Sequence, residues 1–587
     1  MGSVGLALPR RRFIASSEHC TCVTTPKTIK LMCMDDFKQK LQKAGFAGEL
    51  MDDARSKDIY SHDASLFEIQ PRLIVCPTNS QDVQTLIRLV AVEKKQMPEL
   101  SITARSAGTD MAGGAINDSI IVDFNKHFTK IHSVTPTEAH TQPGVFYRDF
   151  EKETFKQNAL MPSYPASRDL CTVGGMVANN SGGEKSLEYG KVKDFVNELQ
   201  VVFADGHEYT VKPLKKPELV KKMSQGDYEG AIYKNIFELC EANYDAIKAA
   251  KPQVSKNSMG YTLWEVWDRE TGIFDLTKLI VGSEGTLGFV TDITYRLVLR
   301  RQHSGLLVLF LRDINKLGEI IPKVLEYKPA TFESFDDQTL LLSIRFMPSF
   351  LKLLGVRKFI HLLITLIPDG LQLLRGIPKL ILMVEFNGDS EQEVRDQVRK
   401  LHKDLRQYKA RYEINGMEED PTEAAAEKFW VMRRQSFNLL RSKVKDKHTA
   451  PFIDDLIVRP EYMPEFLPKL RQIIKKYKLF ATIAGHMGDG NFHIIPLMKI
   501  EDPSERAKLL PAMEEVDDLV LHYKGSLSGE HNDGLVRGPW LKEQFGEHIF
   551  GLFREVKHIF DPDNIFNPHK KSDANWDYSY SHIREHF

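Results

Sequence analysis

Residues 282–288 read GSEGTLG, and this stretch decides the fold class together with two earlier glycine-rich loops. The first loop covers residues 105–114 (RSAGTDMAGG), and the second covers residues 172–183 (TVGGMVANNSGG). Glycines allow backbone N–H groups to approach and surround an anion such as a pyrophosphate. None of the loops ends in Gly-Lys-Ser/Thr, and none has the GxGxxG pattern of a Rossmann nicotinamide site. Three such loops predict a large phosphorylated ligand between them, although each could also be a structural turn.

Length and composition describe a multidomain globular chain. The 587 residues are 27% charged and 42% hydrophobic, and this length implies two or three domains. Lys+Arg and Asp+Glu number 79 and 80, so no overall basic field recruits nucleic acid and we expect no such partner. No apolar run reaches 18 residues, which argues against a spanning helix. The six cysteines contain no CxxC pair, so a thiolate-bound zinc or iron–sulfur cluster is not expected.

Short strands alternate with helices from residue 35 to about 300. The helix predicted at Ser80–Glu93 has Ser80 as its N-cap. The strands predicted here cover 72–76, 120–124, 198–203, 279–282 and 288–294. From 301 to 450 the prediction is strands at 306–311 and 380–386 and helices at 313–327, 392–409 and 428–440. Residues 451–571 return to compact α/β patterning, and 572–587 show no periodicity and are predicted to be a tail.

Two segments carry basic charge that the near-neutral total hides. Residues 1–33 contain five Lys or Arg and one acid, Glu18, with many Ser and Thr. This composition predicts a transit peptide for mitochondria or another organelle, or else a disordered tail before a start at Met34. Without such a leader the chain would be cytoplasmic or membrane-peripheral. Residues 345–379 contain six cations and one acid, Asp369, among many apolar residues, which predicts an element on a membrane surface or a packed helical insertion.

The stretch Gly485–His493 (GHMGDGNFH) predicts a β-hairpin that carries two histidines. Asp-Gly between strand-like residues is a strong signal for a two-residue turn. If Asp489 and Gly490 form that turn, His486 lies directly opposite His493. Directly paired side chains have Cβ atoms about 4.5–5.5 Å apart, which is close enough to share one metal ion. The alternative is a pair of structural histidines.

A third metal ligand and a base are offered by the motif Gly529–Gly534 (GEHNDG). Two histidines and the carboxylate of Glu530 suit a catalytic divalent ion such as Zn or Mn, with coordination positions left open. His531 is then a candidate base, because its unperturbed pKa lies near physiological pH.

The order of the three glycine loops resembles the FAD-binding domain of the vanillyl-alcohol-oxidase (PCMH) type flavoproteins. This resemblance implies an α+β fold with a PCMH-type FAD-binding domain at 35–300, an α+β cap at 301–450 and a C-terminal FAD-oxidase segment at 451–571. Some relatives attach flavin through a His near position 110, and Asp110 stands here, so noncovalent FAD is expected. The resemblance places the following residues against FAD: Arg105, Ser106, Ala107, Gly108, Thr109, Asp110, Gly113, Pro165, Gly174, Gly175, Asn179, Asn180, Gly182, Gly183, Glu284, Gly285, Gly288, Val290, Asn491 and Asn567.

The hairpin and the GEHNDG motif are similar to those of the FAD-linked 2-hydroxy acid dehydrogenases. These include D-lactate dehydrogenase, D-2-hydroxyglutarate dehydrogenase and the glycolate oxidase flavin subunit. The resemblance implies metal ligands at His486, His493 and Glu530 and a catalytic base at His531. A Trp-x-x-Arg motif at 430–433 implies that Arg433 binds the substrate carboxylate, although a helix-surface cation is the plain alternative. The DPxNxxNP motif matches residues 561–568.

Two departures from the family pattern bear on the substrate. The substrate lysine of the 2-hydroxyglutarate enzymes would fall near Ile453, and Ile495 replaces a polar residue two places after the second hairpin histidine. Both changes speak against 2-hydroxyglutarate. The form of residues 452–461 and 529–538 is closest to a bacterial subgroup whose flavin half is fused to an iron–sulfur half. This chain ends before such a half, so we expect its electrons to leave to another acceptor.

The implied reaction is oxidation of a lactate-like D-2-hydroxy acid to the 2-oxo acid, with a small-molecule hydroxy acid as substrate. The electrons would pass to an electron-transfer flavoprotein, a quinone or a cytochrome c. Arg537 is a further candidate for contact with an acidic substrate. The alternatives are an oxygen-using alcohol or sugar oxidase of the same fold and a catalytically silent, membrane-associated flavin-binding protein. The oligomeric state is left open.

Overall fold

The computed structural model describes residues 34–345, 376–420, 426, 428–431, 433 and 447–585. The predicted leader at 1–33 lies outside these residues, and so does nearly all of the basic segment at 345–379. The helix predicted at 428–440 is described only at 428–431 and 433, which are helical. None of the described helices combines the length and the apolar composition needed to cross a bilayer.

The strands of the described residues are numbered in chain order. They are β1 (Glu49–Met51), β2 (Leu73–Cys76), β3 (Ile102–Arg105), β4 (Ile120–Asp123), β5 (Ile131–Val134), β6 (Glu138–Thr141), β7 (Ala159–Leu160), β8 (Val196–Val202), β9 (Glu208–Val211), β10 (Leu214–Lys215), β11 (Trp267–Asp268), β12 (Ile273–Phe274), β13 (Phe289–Arg296), β14 (Val298–Leu299), β15 (His303–Leu311), β16 (Thr331–Asp336), β17 (Leu380–Gly388), β18 (Ile414–Asp420), β19 (His448–Thr449), β20 (Leu456–Ile457), β21 (Phe480–His486) and β22 (Asn491–Met498).

Many of the α-helices follow the periodicity of their apolar residues, and some begin at a polar residue whose side chain caps the first turn. In the helix Glu391–Gln407, for example, the buried residues recur every three or four positions, and Ser390 caps the first turn. The α-helices with printed bounds are Met34–Lys43, Ala54–Tyr60, Ser80–Glu93, Tyr147–Lys156, Val173–Asn179, Ser186–Tyr189, Lys216–Met223, Tyr228–Ala242, Tyr244–Ala249, Thr277–Ile280, Leu317–Leu325, Asp337–Arg345, Glu391–Gln407, Met463–Lys476, Pro503–Arg506, Leu509–His522, Gly534–Arg537, Leu541–Phe560 and Trp576–Ser581.

Two sheets build the first half of the chain. One has the order β1-β2-β4-β3, with β4 parallel to both of its neighbours, and its central strands β2 and β4 are buried on both faces. The other is antiparallel with the order β5-β6-β13-β8-β9. Strand β13 alternates buried and half-buried residues, as a strand with one covered face does. The predicted α+β class is confirmed by these sheets and the helices between their strands.

The second half of the chain forms a larger sheet that carries the histidine hairpin. Its order is β18-β15-β17-β16-β21-β22-β19, and β20 also pairs with β22. The hairpin β21–β22 therefore extends the sheet of the predicted cap rather than forming a separate unit. Helix Leu541–Phe560 instead packs on the core beneath the five-stranded sheet. The C-terminal part of the chain thus contacts both halves. The glycine loops and the histidine hairpin, which carry the predicted site residues, lie where the two halves meet.

Three local predictions were wrong. Asn79, not Ser80, caps the helix Ser80–Glu93, and its side chain accepts from the N–H of Asp82. The strand predicted at 279–282 is not formed. Residues Thr277–Ile280 form a short helix instead, in which Leu279 and Ile280 are buried. The predicted tail contains the helix Trp576–Ser581, and Ile583 after it is 2% exposed. The side chain of Arg584 donates to the backbone oxygens of Phe67 and Asp63, which fixes this segment to the first half of the chain.

Candidate active site

The three glycine loops converge in the structure. Ser106 of the first loop and Thr172 at the start of the second share a hydroxyl–hydroxyl hydrogen bond. The N–H of Gly282 donates to Val177, and the N–H of Glu284 donates to Ala178, which joins the third loop to the second. These backbone bonds hold the loops side by side at the ends of β3 and β13, as the sequence predicts for loops that share one ligand.

Asn567 fastens the first loop to the third. Its Nδ2 donates to the backbone oxygens of Gly114 (2.8 Å) and Glu284 (2.7 Å), and its Oδ1 accepts from Thr103. The residue is 1% exposed and has a φ of 40°, a conformation that Asn tolerates better than most residues. Asn567 therefore positions the first and third loops through its side chain. The direct contact with FAD expected of it stays a prediction.

The first loop offers a cradle for a phosphate group. Among the described residues, the backbone N–H groups of Ser106, Ala107, Gly108 and Thr109 find no acceptor. All four residues are half-buried, so this segment is accessible from outside the protein. A run of unpaired backbone N–H groups binds an anion. The loops therefore fit the pyrophosphate of FAD.

Other predicted FAD residues shape this cradle rather than face it. Arg105 is 7% exposed, and its guanidinium donates to the backbone oxygens of Tyr60, His62 and Ala115. Asp110 accepts from the N–H groups of Ala112 and Gly114, and burial raises its pKa to about 6. Asp110 thus closes the first loop on itself.

The second and third loops supply the remaining positions of the FAD prediction. Val290 is the half-buried second residue of β13, and Pro165 is half-buried beside Gly183. The other residues lie in the converging loops: Gly113, Gly174, Gly175, Asn179, Asn180, Gly182, Glu284, Gly285 and Gly288. Their contacts with FAD stay predictions.

The hairpin has a different register from the predicted one. His486 pairs with Asn491 and His493 pairs with Ala484, so residues 487–490 form a four-residue turn. Neighbouring segments bind the turn, because Gly488 donates to Phe332 and Val458 donates to Gly490. The two histidines are diagonal neighbours on one face of the hairpin instead of direct partners. Their ring centroids are 5.3 Å apart, so the prediction that the hairpin brings them together survives the corrected register.

Glu530 lies between the two hairpin histidines. Its Oε1 is 3.3 Å from Nε2 of His486, and its Oε2 is 3.8 Å from Nε2 of His493. Two ligands bonded to zinc at about 2.1 Å in a tetrahedral arrangement are roughly 3.4 Å apart, which is close to both distances. Two imidazoles and one carboxylate are residue types that suit a divalent ion such as Zn or Mn, and the metal itself stays a prediction.

Asp455 is a weaker candidate for the same ion. One of its oxygens lies within 4.8 Å of ligand atoms of His493, Glu530 and His531. Its Oδ2, however, accepts from Ser528 Oγ and from the N–H groups of Glu530 and His531. Asp455 therefore holds the GEHNDG motif in place. His486 lies outside this group of four side chains, so its role as a ligand stays a prediction.

A buried lysine neutralises the carboxylate of this set. Lys256 is 3% exposed, and its Nζ contacts Glu530 Oε1 and lies 3.2 Å from Asp489 Oδ2. Burial favours the neutral form of Glu530, but His486 and Lys256 outweigh it and hold the pKa of Glu530 well below its usual value. Glu530 is therefore ionised, as a metal ligand must be.

Asp454 lies between His493 and His531. Its Oδ2 is 2.8 Å from Nδ1 of His531, and its Oδ1 is 3.4 Å from Nδ1 of His493. The two imidazoles stack at a centroid distance of 4.9 Å. Burial lowers the pKa of His531, but Asp454 and Asp455 outweigh it and raise that pKa to about 9.

Glu333 on β16 connects His486 to the predicted substrate arginine. Its Oε1 is 2.5 Å from Nδ1 of His486, and its Oε2 contacts the guanidinium of Arg433. Glu333 is fully buried. Burial lowers the pKa of His486, but Glu333 and Glu530 outweigh it and raise that pKa to about 9. Arg433 is thus part of the site rather than a helix-surface cation.

Two other predicted residues have structural contacts. Asn491 is buried, and its Nδ2 donates to Asp455 and to the backbone oxygen of Leu456. Arg537 is 3% exposed and donates to the backbone oxygens of Asn532 and Asp454, so it supports the motif instead of reaching toward a substrate.

The glycine loops contact the GEHNDG motif, which carries the predicted metal ligand Glu530 and the predicted base His531. Nδ2 of Asn179 donates to the backbone oxygen of Glu530 at 2.9 Å, and Asn532 donates to the backbone oxygens of Asn179 and Gly282. A flavin held by the loops would therefore lie beside the predicted metal ligands and base.

Sequence reasoning gave no role to Glu333, Asp454, Asp455 or Lys256. Two of these left a signal, because Asp454 and Asp455 stand together between apolar residues that the structure buries. Glu333 lies within a strand whose six residues are all buried, which is an unusual place for a carboxylate. Nothing near Lys256 in the sequence indicates its contact with Glu530.

Known protein families match both halves of the chain. Residues 71–212 match the FAD binding domain, and residues 300–571 match the C-terminal domain of FAD linked oxidases. The chain is 27% identical over 540 residues to D-2-hydroxyglutarate dehydrogenase of Escherichia coli, covering 91% of this chain and 51% of that protein. It is 24% identical to glycolate oxidase subunit GlcD of Bacillus subtilis, covering 92% and 97%. The chain spans about half the length of the first of these relatives.

A solved structure supports the fold independently. The 4-ethylphenol oxidase of Gulosibacter chungangensis superposes with a TM-score of 0.64 at 13% identity, covering 92% of this chain and 98% of that one. The resemblance to the FAD-linked 2-hydroxy acid dehydrogenases, predicted from the glycine loops and the two histidine motifs, is confirmed by these matches.

Proposed function

Because the chain carries an FAD binding domain and the C-terminal domain of FAD linked oxidases, we propose that it is an FAD-dependent D-2-hydroxy acid dehydrogenase. The reaction is oxidation of the hydroxy acid to the 2-oxo acid. One observation supports this reaction above the others. A predicted base, a metal ligand set and a carboxylate-binding arginine lie in one buried cluster, which Asn179 joins to the glycine loops.

The bound groups would supply the chemistry that side chains lack. FAD against the three glycine loops would accept the two electrons of the oxidation. A divalent ion, Zn or Mn, on His486, His493 and Glu530 would lower the pKa of the substrate hydroxyl.

The protein residues bind the substrate and move its proton. Arg433 holds the substrate carboxylate, because a guanidinium presents five donors and can contact Glu333 and a substrate together. Nδ1 of His531 faces Asp454, so Nε2 is the atom that takes the hydroxyl proton. Asp454 then stabilises the imidazolium that results.

We propose a small monocarboxylate of the lactate or glycolate kind as the substrate. Isoleucine carries no charge, so neither Ile453 nor Ile495 can present a cation to a second carboxylate. D-2-hydroxyglutarate is the second candidate, because the relative at 27% identity carries that name. An electron-transfer flavoprotein, a quinone or a cytochrome c would take the electrons onward.

Anaerobic mixing of the FAD-loaded protein with single hydroxy acids tests the proposal. D-lactate and glycolate should bleach the flavin absorbance faster than D-2-hydroxyglutarate, and L-lactate should not bleach it. His531→Ala should slow the bleaching at least a hundredfold, whereas His522→Ala, at an exposed helix position, should not change it. Flavin reduction by His531→Ala at the wild-type rate would contradict the role of the base. Rapid reoxidation by air would favour the oxidase alternative.

A further inference from the structure

A second cluster of metal-ligand side chains lies on the five-stranded sheet, away from the hairpin. His132 is on β5, His140 is on β6 and Asp292 is on β13, and these three strands are adjacent in the sheet. Nε2 of His132 is 2.9 Å from one oxygen of Asp292, and Nε2 of His140 is 2.6 Å from the other. The two rings lie 4.6 Å apart. Both imidazoles therefore direct the same nitrogen at one carboxylate.

The backbone of this sheet is irregular at two of the three positions. The pairing of β5 with β6 shifts between Ile131 and Ser133, so His132 is the extra residue of a bulge. The pairing of β13 with β8 shifts between Val290 and Asp292, next to the carboxylate. Bulges re-aim side chains and are common beside functional sites. Here the shifts accompany the convergence of all three side chains on one face.

We propose that His132, His140 and Asp292 bind one divalent transition-metal ion, with zinc as the best fit. The three ligand atoms lie within 4.8 Å of one another, so small rotations of these partly exposed side chains suffice to surround an ion at about 2.0–2.2 Å. Two imidazole nitrogens and one carboxylate oxygen suit zinc or its transition-metal neighbours, whereas calcium and magnesium prefer oxygen ligands. Solvent water completes the tetrahedron, because the side chains of His132 and His140 are 35% and 43% exposed.

The bound ion would stabilise the FAD domain. It would join β5 and β6 to β13, and β13 begins directly after the third glycine loop. An ion that binds only the folded sheet raises the stability of that sheet as its concentration exceeds the dissociation constant. The site is therefore a brace whose effect is measurable without any turnover of substrate.

Zinc titration of the full-length, FAD-loaded protein after removal of metals tests the site. At pH 7.5, His132→Ala and His140→Ala should each bind one zinc equivalent fewer than the wild type by calorimetry. Zinc should raise the melting temperature of the wild type more than that of either variant. His207→Ala is the matched control, because His207 is an exposed histidine paired with Asp205 alone, at 3.0 Å. This control should bind as many zinc ions as the wild type.

The comparison with the hairpin separates this proposal from the proposed catalytic ion. His493→Ala should remove a different zinc equivalent and leave the one bound by His132 and His140. Unchanged zinc stoichiometry and affinity in both His132→Ala and His140→Ala would overturn the proposed brace, whatever His493→Ala does. Circular dichroism and flavin absorbance confirm that each variant is folded and loaded before titration.

Discussion

Oδ2 of Asp454 lies 2.8 Å from Nδ1 of His531. The charge of Asp454 at this distance favours a proton on Nδ1, so Nε2 is the nitrogen that can act as the base once the ring is neutral. The same carboxylate reaches His493 through its other oxygen. Asp454 thus orients a predicted metal ligand and the predicted base together.

Asp454→Asn should change the pH dependence of flavin reduction. His531 must be neutral to accept a proton, so activity falls as the pH drops below its pKa. Because Asp454 raises that pKa, its replacement should move the acidic limb of the profile to lower pH, with a lower maximal rate. The measurement is the anaerobic reduction rate against pH. Asp518→Asn, at an exposed position, should leave the limb in place, and an unmoved limb in Asp454→Asn would refute the contact's electrostatic role.

Glu333→Gln should weaken metal binding and substrate binding at once. The variant keeps the size of the side chain but removes the charge that faces both His486 and Arg433. Partners of this kind typically change metal affinity 10- to 100-fold, and we expect a similar rise in the KM for the hydroxy acid. Metal analysis and steady-state kinetics measure the two effects. Glu461→Gln, whose side chain is half exposed, is the control. A loss of one property without the other would show that Glu333 does not couple the two residues.

Gly490→Ala should destabilise the hairpin. Gly490 has a φ of +74°, and a Cβ there would lie 1.9 Å from the backbone oxygen of Val458. We expect the free energy of unfolding to fall by about 2 kcal/mol or more in urea titration. Gly551→Ala should do the opposite, because a Cβ at this helical position meets no atom within 4 Å. Its helix should gain roughly 0.5–1 kcal/mol. Equal stabilities of the two variants would contradict the turn geometry.

Asn567→Ala should release FAD more readily. The change removes both hydrogen bonds that hold the first glycine loop against the third and leaves two buried carbonyls unpaired. A loss of about 2 kcal/mol or more corresponds to at least a 30-fold weaker retention of FAD, measured by fluorescence during dialysis. Asn564→Ala is a close control, since Asn564 also has a positive φ but its side chain donates to Asp573 and not to a glycine loop. Comparable flavin loss in the two variants would show that the hydrogen bonds of Asn567 to Gly114 and Glu284 do not help to retain FAD.

The fold was predictable where short motifs determine the local backbone. The order of the motifs indicates that the glycine loops share one region, and backbone hydrogen bonds in the structure join the second loop to the third. The hairpin was predicted but its register was not. An Asp-Gly pair favours a two-residue turn, yet the backbone of the turn bonds to Phe332 and Val458, which a local pattern does not contain.

The sequence predicted which histidines and which glutamate come together, but not the residues that support them. Histidines beside glycines in two motifs indicate metal chemistry, and the structure brings His486, His493, Glu530 and His531 together. The supporting carboxylate Glu333 is 153 residues from His486 in the chain. Its burial among apolar residues is visible only after the sheet has formed, and the same holds for Lys256 against Glu530.

The hydrogen bond from Asn567 to Glu284 can form only late in the synthesis of the chain. These two residues are 283 positions apart, and their hydrogen bond cannot form until Asn567 has emerged from the ribosome. At ordinary translation speeds this interval is roughly 15 to 60 seconds. During that time the third glycine loop lacks the hydrogen bond from Asn567. A nascent chain therefore completes its cofactor cradle only near the end of synthesis, and premature termination before residue 567 would produce a protein that cannot retain its flavin.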